Sequence, residues 1–282
     1  MRFIFLFLLS ICSLLQGARI NEAVVNVYSR PDLNSPLETQ AIYGDPVNIT
    51  DFLNNQWIAI ALSEEEGGWI SPKQITHGSC YGNTRNLRPT KNLFNHVYRK
   101  PGTTVQAFPL LTLPYGAPVM LVDPNDASER WIEIFLVTGE KAWIQRGDVD
   151  FDPKVKTLEE MLSFSKKFLE LPYTWGGNSS YGFDCSAFMK MLFKEMGVSI
   201  PRNSRNQAKC KLFTTVSQEN LVPGDLIFFG NPKVHHVGLY LGENQFIHAG
   251  VTEDSPKIQI SSLKKDLYQS GHYAFHCGKR LK

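Results

Sequence analysis

Charge of a single sign is scarce: 29 Lys and Arg stand against 27 Asp and Glu in 282 residues, a formal net charge of +2. The two signs are well mixed, which excludes the basic footprint that nucleic acid or an anionic membrane surface requires. Cysteine is scarce too, and five in a chain of this length do not make a disulfide scaffold. Long apolar runs are missing with one exception. After Arg2 comes Phe3-Ile4-Phe5-Leu6-Phe7-Leu8-Leu9, continued brokenly to Leu15 and closed by the small pair Gly17-Ala18. A short positive end, an apolar stretch and small residues form the pattern of a secretory signal rather than a spanning helix. Residues 1–18 are therefore expected to be a signal peptide, and the mature chain to be exported to the periplasm or cell envelope without a stable membrane span. Leu9-Ser10-Ile11-Cys12 approaches a lipoprotein box, but Ile11 stands where a small residue is wanted, so lipidation at Cys12 is the lesser alternative.

With 43% hydrophobic residues the chain can bury a real core, and its length suggests roughly two or three domains. The first half repeats itself. Val27-Tyr28-Ser29-Arg30-Pro31 is echoed by Val97-Tyr98-Arg99-Lys100-Pro101, and Tyr43-Gly44-Asp45-Pro46-Val47 by Tyr115-Gly116-Ala117-Pro118-Val119. Trp57-Ile58-Ala59-Ile60 returns as Trp131-Ile132-Glu133-Ile134, and Gly68-Trp69-Ile70 as Ala142-Trp143-Ile144. Four landmarks in the same order at a near-constant offset mark a duplicated module. Each copy consists of short alternating runs rich in Val, Ile and Trp between Gly, Pro, Asn and Asp, so strands joined by tight turns are expected, closed into a small barrel. The four tryptophans read as core or rim aromatics.

After Asp150 the pattern changes. Thr157-Leu158-Glu159-Glu160 is a capping box, followed by a helical spacing of Leu158, Met161, Leu162, Ser165, Phe168 and Leu169 that Pro172 ends. The glycine loop Trp175-Gly176-Gly177 leads to Asp184, an N-cap for a second helix carrying Phe188, Met191, Leu192 and Phe193 and stopped near Gly197. Leu226–Phe229, His236–Leu241 and Gln245–His248 then read as strands separated by turns. Helices followed by hairpin-linked strands predict an α+β domain with an antiparallel sheet.

Within that domain, Cys185, His236 and His248 are the residues a thiol hydrolase needs: a nucleophile, a base that takes its proton, and a third polar group that orients the base. Placed in the first turn after its cap, Cys185 is expected to be favoured as thiolate by the helix end. His236 and His248 fall on neighbouring strands, whose side chains come within about 5 Å on a shared face. Zinc is the chemical rival, since Cys185, His235, His236 and His248 are all potential ligands. Adjacent His235 and His236 point to opposite sheet faces if both are in a strand, however, and no metal or other cofactor is expected. If Cys185 is the nucleophile, Cys80, Cys210 and Cys277 allow at most one internal disulfide, and buried free thiols serve equally well.

Six blocks in order carry a resemblance. They are Pro172–Gly177, Asp184-Cys185-Ser186, Pro201-Arg202-Asn203-Ser204 with Gln207, Leu221–Leu226, His236–Gly242 and Phe246–Ala249. Over about residues 157 to 280 the chain resembles the NlpC family of cell-wall cysteine peptidases, and the two repeats, residues 23–76 and 92–148, resemble bacterial SH3 domains. The resemblance implies a papain-like catalytic domain over residues 155–282 behind two SH3-like barrels. It also implies a cysteine endopeptidase acting on peptidoglycan stem peptides, typically between D-γ-glutamate and the following diamino acid, diaminopimelate or lysine. Carried over by position, Cys185 is the nucleophile, His236 the base and His248 the orienting residue; Tyr173 lies by the nucleophile, and Asp184 and Ser186 line the substrate groove, with Asp184 holding a free amine of the peptide. Arg202 and Gln207 read as structural. Two rivals are a wall-binding protein without activity and an acyltransferase or amidase on another acyl bond. The first would have lost a member of the Cys, His, His set, and the second would need an apolar groove. The repeats are joined to the catalytic domain by only Asp150–Lys154, and are expected to shape the substrate's approach more than to anchor the protein.

Overall fold

The computed structural model describes residues 17–78, 81, 84–102, 108–126, 130–252, 255–265, 268 and 273–282. Nearly all of the expected signal segment, with Cys12, lies outside the described residues, and so does Cys80. The chain divides between Pro153 and Lys154 into two compact units.

The first unit contains both repeats. Seven strands, β1 (Ala18–Ile20), β2 (Val24–Tyr28), β3 (Leu37–Ile42), β4 (Pro46–Phe52), β5 (Ile58–Ala61), β6 (Gly67–Ile70) and β7 (Ile75–Thr76), form one sheet in the order β3-β2-β6-β5-β4-β1-β7. The second copy has β8 (Leu87–Pro89), β9 (Phe94–Tyr98), β10 (Leu111–Pro114), β11 (Pro118–Leu121), β12 (Trp131–Phe135) and β13 (Lys141–Gln145), ordered β10-β9-β13-β12-β11-β8. Apart from β7, which has no counterpart strand in the second sheet, the order is the same, so the duplication visible in the landmarks extends to the topology. Tyr28 meets the Trp57 ring edge-on at 5.7 Å, and Tyr98 meets Trp131 at 5.4 Å. Trp69 and Trp143 sit beside those tyrosines in register. All four tryptophans are half-buried, as rim aromatics are.

The copies are not equivalent where they meet. Tyr43 of the first is fully buried in the core of the second, and its hydroxyl accepts the Val137 N–H at 2.8 Å. Tyr81, between the copies, is also buried there and donates to the Phe135 carbonyl at 3.1 Å. Gly44 turns with φ +79°, and a Cβ on it would come within 2.6 Å of Pro118; its counterpart Gly116, φ +76°, has open space around it.

The second unit is α+β, as expected. Helix α1 (Leu158–Ser165) starts with the Thr157–Glu160 capping box and passes into a 3₁₀ turn at Lys166–Phe168, so the apolar spacing runs one turn beyond the α-helix itself. A short pair, β14 (Asn178–Ser179) and β15 (Gly182–Phe183), precedes α2 (Cys185–Glu195), and α3 (Ser204–Lys209) follows. Then come β16 (Phe213–Val216), β17 (Leu226–Phe229), β18 (His236–Gly242), β19 (Gln245–Thr252), β20 (Ser255–Ser262) and β21 (Phe275–Leu281). They build an antiparallel sheet ordered β16-β21-β17-β18-β19-β20. Phe168 packs its ring against Phe164, Phe183 and Phe188 at 5.1–5.9 Å. This aromatic cluster packs the end of α1 against α2 and against Phe183, the residue before Asp184. Among the described residues no helix is long and apolar enough to cross a membrane.

Candidate active site

Asp184 ends the β15 approach in an extended conformation and caps α2 by accepting the Ala187 N–H at 2.8 Å, which sets Cys185 as the first helical residue. Its carboxylate does more than cap. Oδ1 also accepts from Ser186 Oγ at 3.0 Å and Arg202 Nη1 at 3.0 Å, and Oδ2 accepts from Arg202 Nη2 at 2.6 Å. Arg202, 5% exposed, reaches on to the Gly176 carbonyl at 3.0 Å. One guanidinium thus ties the glycine loop to the start of the helix. Gln207 completes the tie from α3, donating to the carbonyls of Ser186 and Pro201 at 2.9 and 2.8 Å. Replacing Arg202 with alanine leaves a largely buried carboxylate without its partner, which is expected to cost about 3–5 kcal/mol. Urea unfolding of the full chain reads this directly, and a loss below about 1 kcal/mol would mean that the pair is dispensable.

The histidines are delivered by β18 and β19. These are joined by a tight turn in which Glu243 and Asn244 both take positive φ, 51° and 59°, the primed geometry that suits the twist of a hairpin. His236 opens β18 and His248 lies in β19; both are buried. His236 Nε2 and His248 Nδ1 share a hydrogen bond of 2.8 Å, and His248 Nε2 is 3.0 Å from Ser261 Oγ on β20. Two glycines make room for the rings. A Cβ on Gly250 would lie 2.6 Å from His248 Nδ1 and 3.3 Å from His236 Cε1, and one on Gly238 would lie 3.3 Å from His248 Cβ. Each follows a histidine by two residues, in His236-Val237-Gly238 and His248-Ala249-Gly250, and so shares its strand face. That spacing is a sequence signal for a cleared pocket, and reasoning from the triad alone passed over it.

The Cys185 thiol meets the start of β18, where its sulfur takes the backbone N–H of Val237 as well as that of Ser186. The structure thereby brings Cys185, His236 and His248 together. It corrects the expected charge state. Burial pushes the thiol up to about 12, the Asp184 carboxylate adds to this, and the Val237 N–H, Arg202 and the Ser186 N–H oppose it only in part. The helix end alone favours a thiolate; here, complete burial and an anionic cap outweigh it. Burial likewise brings His236 down to about 3, reinforced by His235, and holds His248 well below the ordinary histidine range, reinforced by His236 and Lys265. The resting pair is therefore thiol and neutral imidazole.

Tyr173 is half-buried, and its hydroxyl is pushed well up by burial and then by the charges of Cys185 and Asp184. Ser186 is buried within the Asp184–Arg202 network. His235 precedes β18, which His236 opens as expected from the sequence, and its ring packs edge-on to Tyr273 at 5.0 Å, the same residue that His236 meets at 6.1 Å. Opposed strand faces thus do not separate the two histidines. Among the described residues no group of three His, Cys, Asp or Glu converges to hold a metal. Cys185, Cys210 and Cys277 are free thiols.

A thiol at a helix start, set against two hydrogen-bonded imidazoles on adjoining strands of an antiparallel sheet, is the arrangement that nucleophilic attack on an acyl group needs. Comparison with known proteins makes the assignment particular. The family model for NlpC/P60 matches residues 170–276. The chain is 32% identical over 245 residues to a γ-D-glutamyl-L-lysine dipeptidyl-peptidase of Bacillus cereus, covering 79% of this chain and 70% of that one. It is 30% identical over 246 residues to the enzyme of the same name in Bacillus subtilis, covering 83% and 78%. The crystal structure of an NlpC/P60 family protein from Bacillus cereus superposes with a TM-score of 0.79 at 25% identity, covering 94% of this chain and 99% of that one. The chain belongs to the NlpC/P60 family.

Proposed function

We propose that this protein is an exported cysteine peptidase that hydrolyses peptidoglycan stem peptides at the bond between D-γ-glutamate and the following diamino acid. The observation that carries the reading is the convergence of the Cys185 sulfur on the start of β18, where His236 is backed by His248. His236 takes the thiol proton as the sulfur attacks the glutamyl carbonyl. The oxyanion that forms faces the N-terminal end of α2, where the Cys185 N–H has no partner within the helix. His236 then gives its proton to the departing amine, leaving a thioester. Water, losing a proton to His236, attacks the thioester and releases the glutamyl product; the proton returns to the sulfur. The two N-terminal modules, read as SH3-type barrels, govern which peptides reach the site, and the similarity to both Bacillus enzymes extends over most of the chain rather than the peptidase domain alone.

Both of those relatives are named as dipeptidyl-peptidases, and an enzyme of that type works from a free amino terminus. For this chain the corresponding substrate is a stem peptide with a free L-Ala amine. Asp184 is the candidate to hold it. Its Oδ2 carries one donor, Arg202, while Oδ1 carries three. Mass spectrometry after incubation with defined muropeptides tests the point. A free tripeptide is expected to be cut at least about 10-fold faster than the same peptide attached to its sugar, the worth of one charge-assisted hydrogen bond. Equal rates would leave Asp184 as a cap and partner of Arg202 only.

A further inference from the structure

We propose that Ser261 is a positioning residue for the catalytic base, acting through His248 to decide which nitrogen of His236 is free to take the thiol proton. The inference rests on the reading of Cys185, His236 and His248 as nucleophile, base and orienting residue.

His236, His248 and Ser261 form one line of hydrogen bonds running across β18, β19 and β20. Ser261 pairs in register with Phe246, and Gln259 with His248. Ser261 therefore stands diagonal to His248 on the same sheet face, within reach of its far ring nitrogen. It is 5% exposed and His248 is 1% exposed, so solvent does not substitute for the serine hydroxyl.

A neutral histidine in the third position poses a problem that a carboxylate does not. A carboxylate accepts from whatever faces it, but an imidazole donates at one nitrogen and accepts at the other. The line of bonds can therefore run in either of two directions. If His248 carries its proton on Nε2 and donates to Ser261, its Nδ1 accepts from His236 Nε2–H, and His236 Nδ1 is left as a lone pair that can act as base. If His248 carries its proton on Nδ1, it donates to His236 Nε2, the remaining His236 proton sits on Nδ1, and the base is lost. Burial above all keeps His248 neutral and thus keeps this choice open, and His236 from β18 and Lys265 just beyond β20 add to it. Tyr268 meets its ring edge-on at 6.2 Å, and Phe246 lies against it at 4.7 Å. A hydroxyl donates as well as accepts, so Ser261 is compatible with either direction. What it supplies is the buried acceptor at 3.0 Å that the first direction needs, and without it the Nε2–H would be left buried and unpaired, which favours the second direction.

The test uses ¹⁵N NMR of the full chain, with histidine ring signals assigned by variants, together with kinetics on a stem tripeptide. In the unaltered protein, His248 is expected to show the Nε2–H tautomer; finding the proton on Nδ1 would overturn the proposal without reference to activity. S261A should lower kcat by about 10- to 100-fold, leave KM within about twofold, and shift the His236 and His248 tautomer signals. S261T, which keeps the hydroxyl on a strand position, should recover most of the loss, whereas S261C, similar in size but a weak acceptor, should not. An S261A protein with unchanged kcat and unchanged tautomers would overturn the proposal, as would S261T and S261C falling together. The tautomer readings stand even if Cys185 proves not to be the nucleophile, and that separate failure would appear as full turnover in its alanine variant.

Discussion

Replacing Cys185 with alanine is expected to lower kcat/KM on stem peptides by about 10⁴-fold or more, while the urea unfolding midpoint of the protein stays almost where it was. The two halves of this expectation have different sources. Turnover falls because the remaining residues can offer only water to the carbonyl, and oxyanion stabilisation cannot replace an attached nucleophile. Stability holds because the substitution removes one sulfur from a helix start whose cap, Asp184, and whose tie, Arg202, are untouched; a small buried truncation of this kind costs about 1 kcal/mol. A folded variant with unchanged turnover would remove Cys185 from the reaction, whereas a variant that loses turnover by unfolding would be exposed by its denaturation curve.

His236→Ala is expected to be nearly as severe, with a loss of about 10³–10⁴-fold in kcat/KM, and iodoacetamide shows why. Each partner resists ionisation alone: burial drives the thiol up to about 12 and the imidazole down to about 3. Passing the proton from sulfur to nitrogen creates both charges at once and side by side, so their attraction in a dry site offsets what either would lose separately. Reactivity in the unaltered protein should accordingly persist toward neutral and mildly acidic pH. Without His236 the thiol titrates alone, and since thiolate accumulates only as pH rises toward a raised pKa, alkylation should move to the alkaline range. Alkylation of the variant at low pH with the unaltered profile would point to another base.

Much of this site was legible because its signals are local. The Thr157–Glu160 box, the Asp184 cap and the stop at Gly197 each concern a few consecutive residues, and each is present. The alternation and turn residues that mark β17, β18 and the start of β19 are equally short-range. What stayed hidden depends on residues far apart in the chain. The tie between Arg202 and Asp184 spans 18 positions, and that between His248 and Ser261 spans 13. Ser261 sits in β20, Ser255–Ser262, where Pro256, Ile258 and Ile260 alternate with Lys257 and Gln259; the alternation marks a short strand, but only its pairing with β19 brings Ser261 to His248. The thiol's charge state was misjudged for a related reason. A helix end can be inferred from a cap, but the depth at which that end is buried is decided by the sheet that closes over it.

The tyrosines at the junction of the two repeats carry a consequence for how such a chain can change over time. When a module is first copied, either copy can be lost with little harm. Once Tyr43 buries its hydroxyl against the Val137 amide of the other copy, and Tyr81 against the Phe135 carbonyl, deleting either copy would strand polar groups that no longer have an answer. Gly44, confined by Pro118 where Gly116 is unconfined, shows the same divergence at a single position. The pair has become the heritable part: recombination can move both together, but the history that made them two no longer runs backwards.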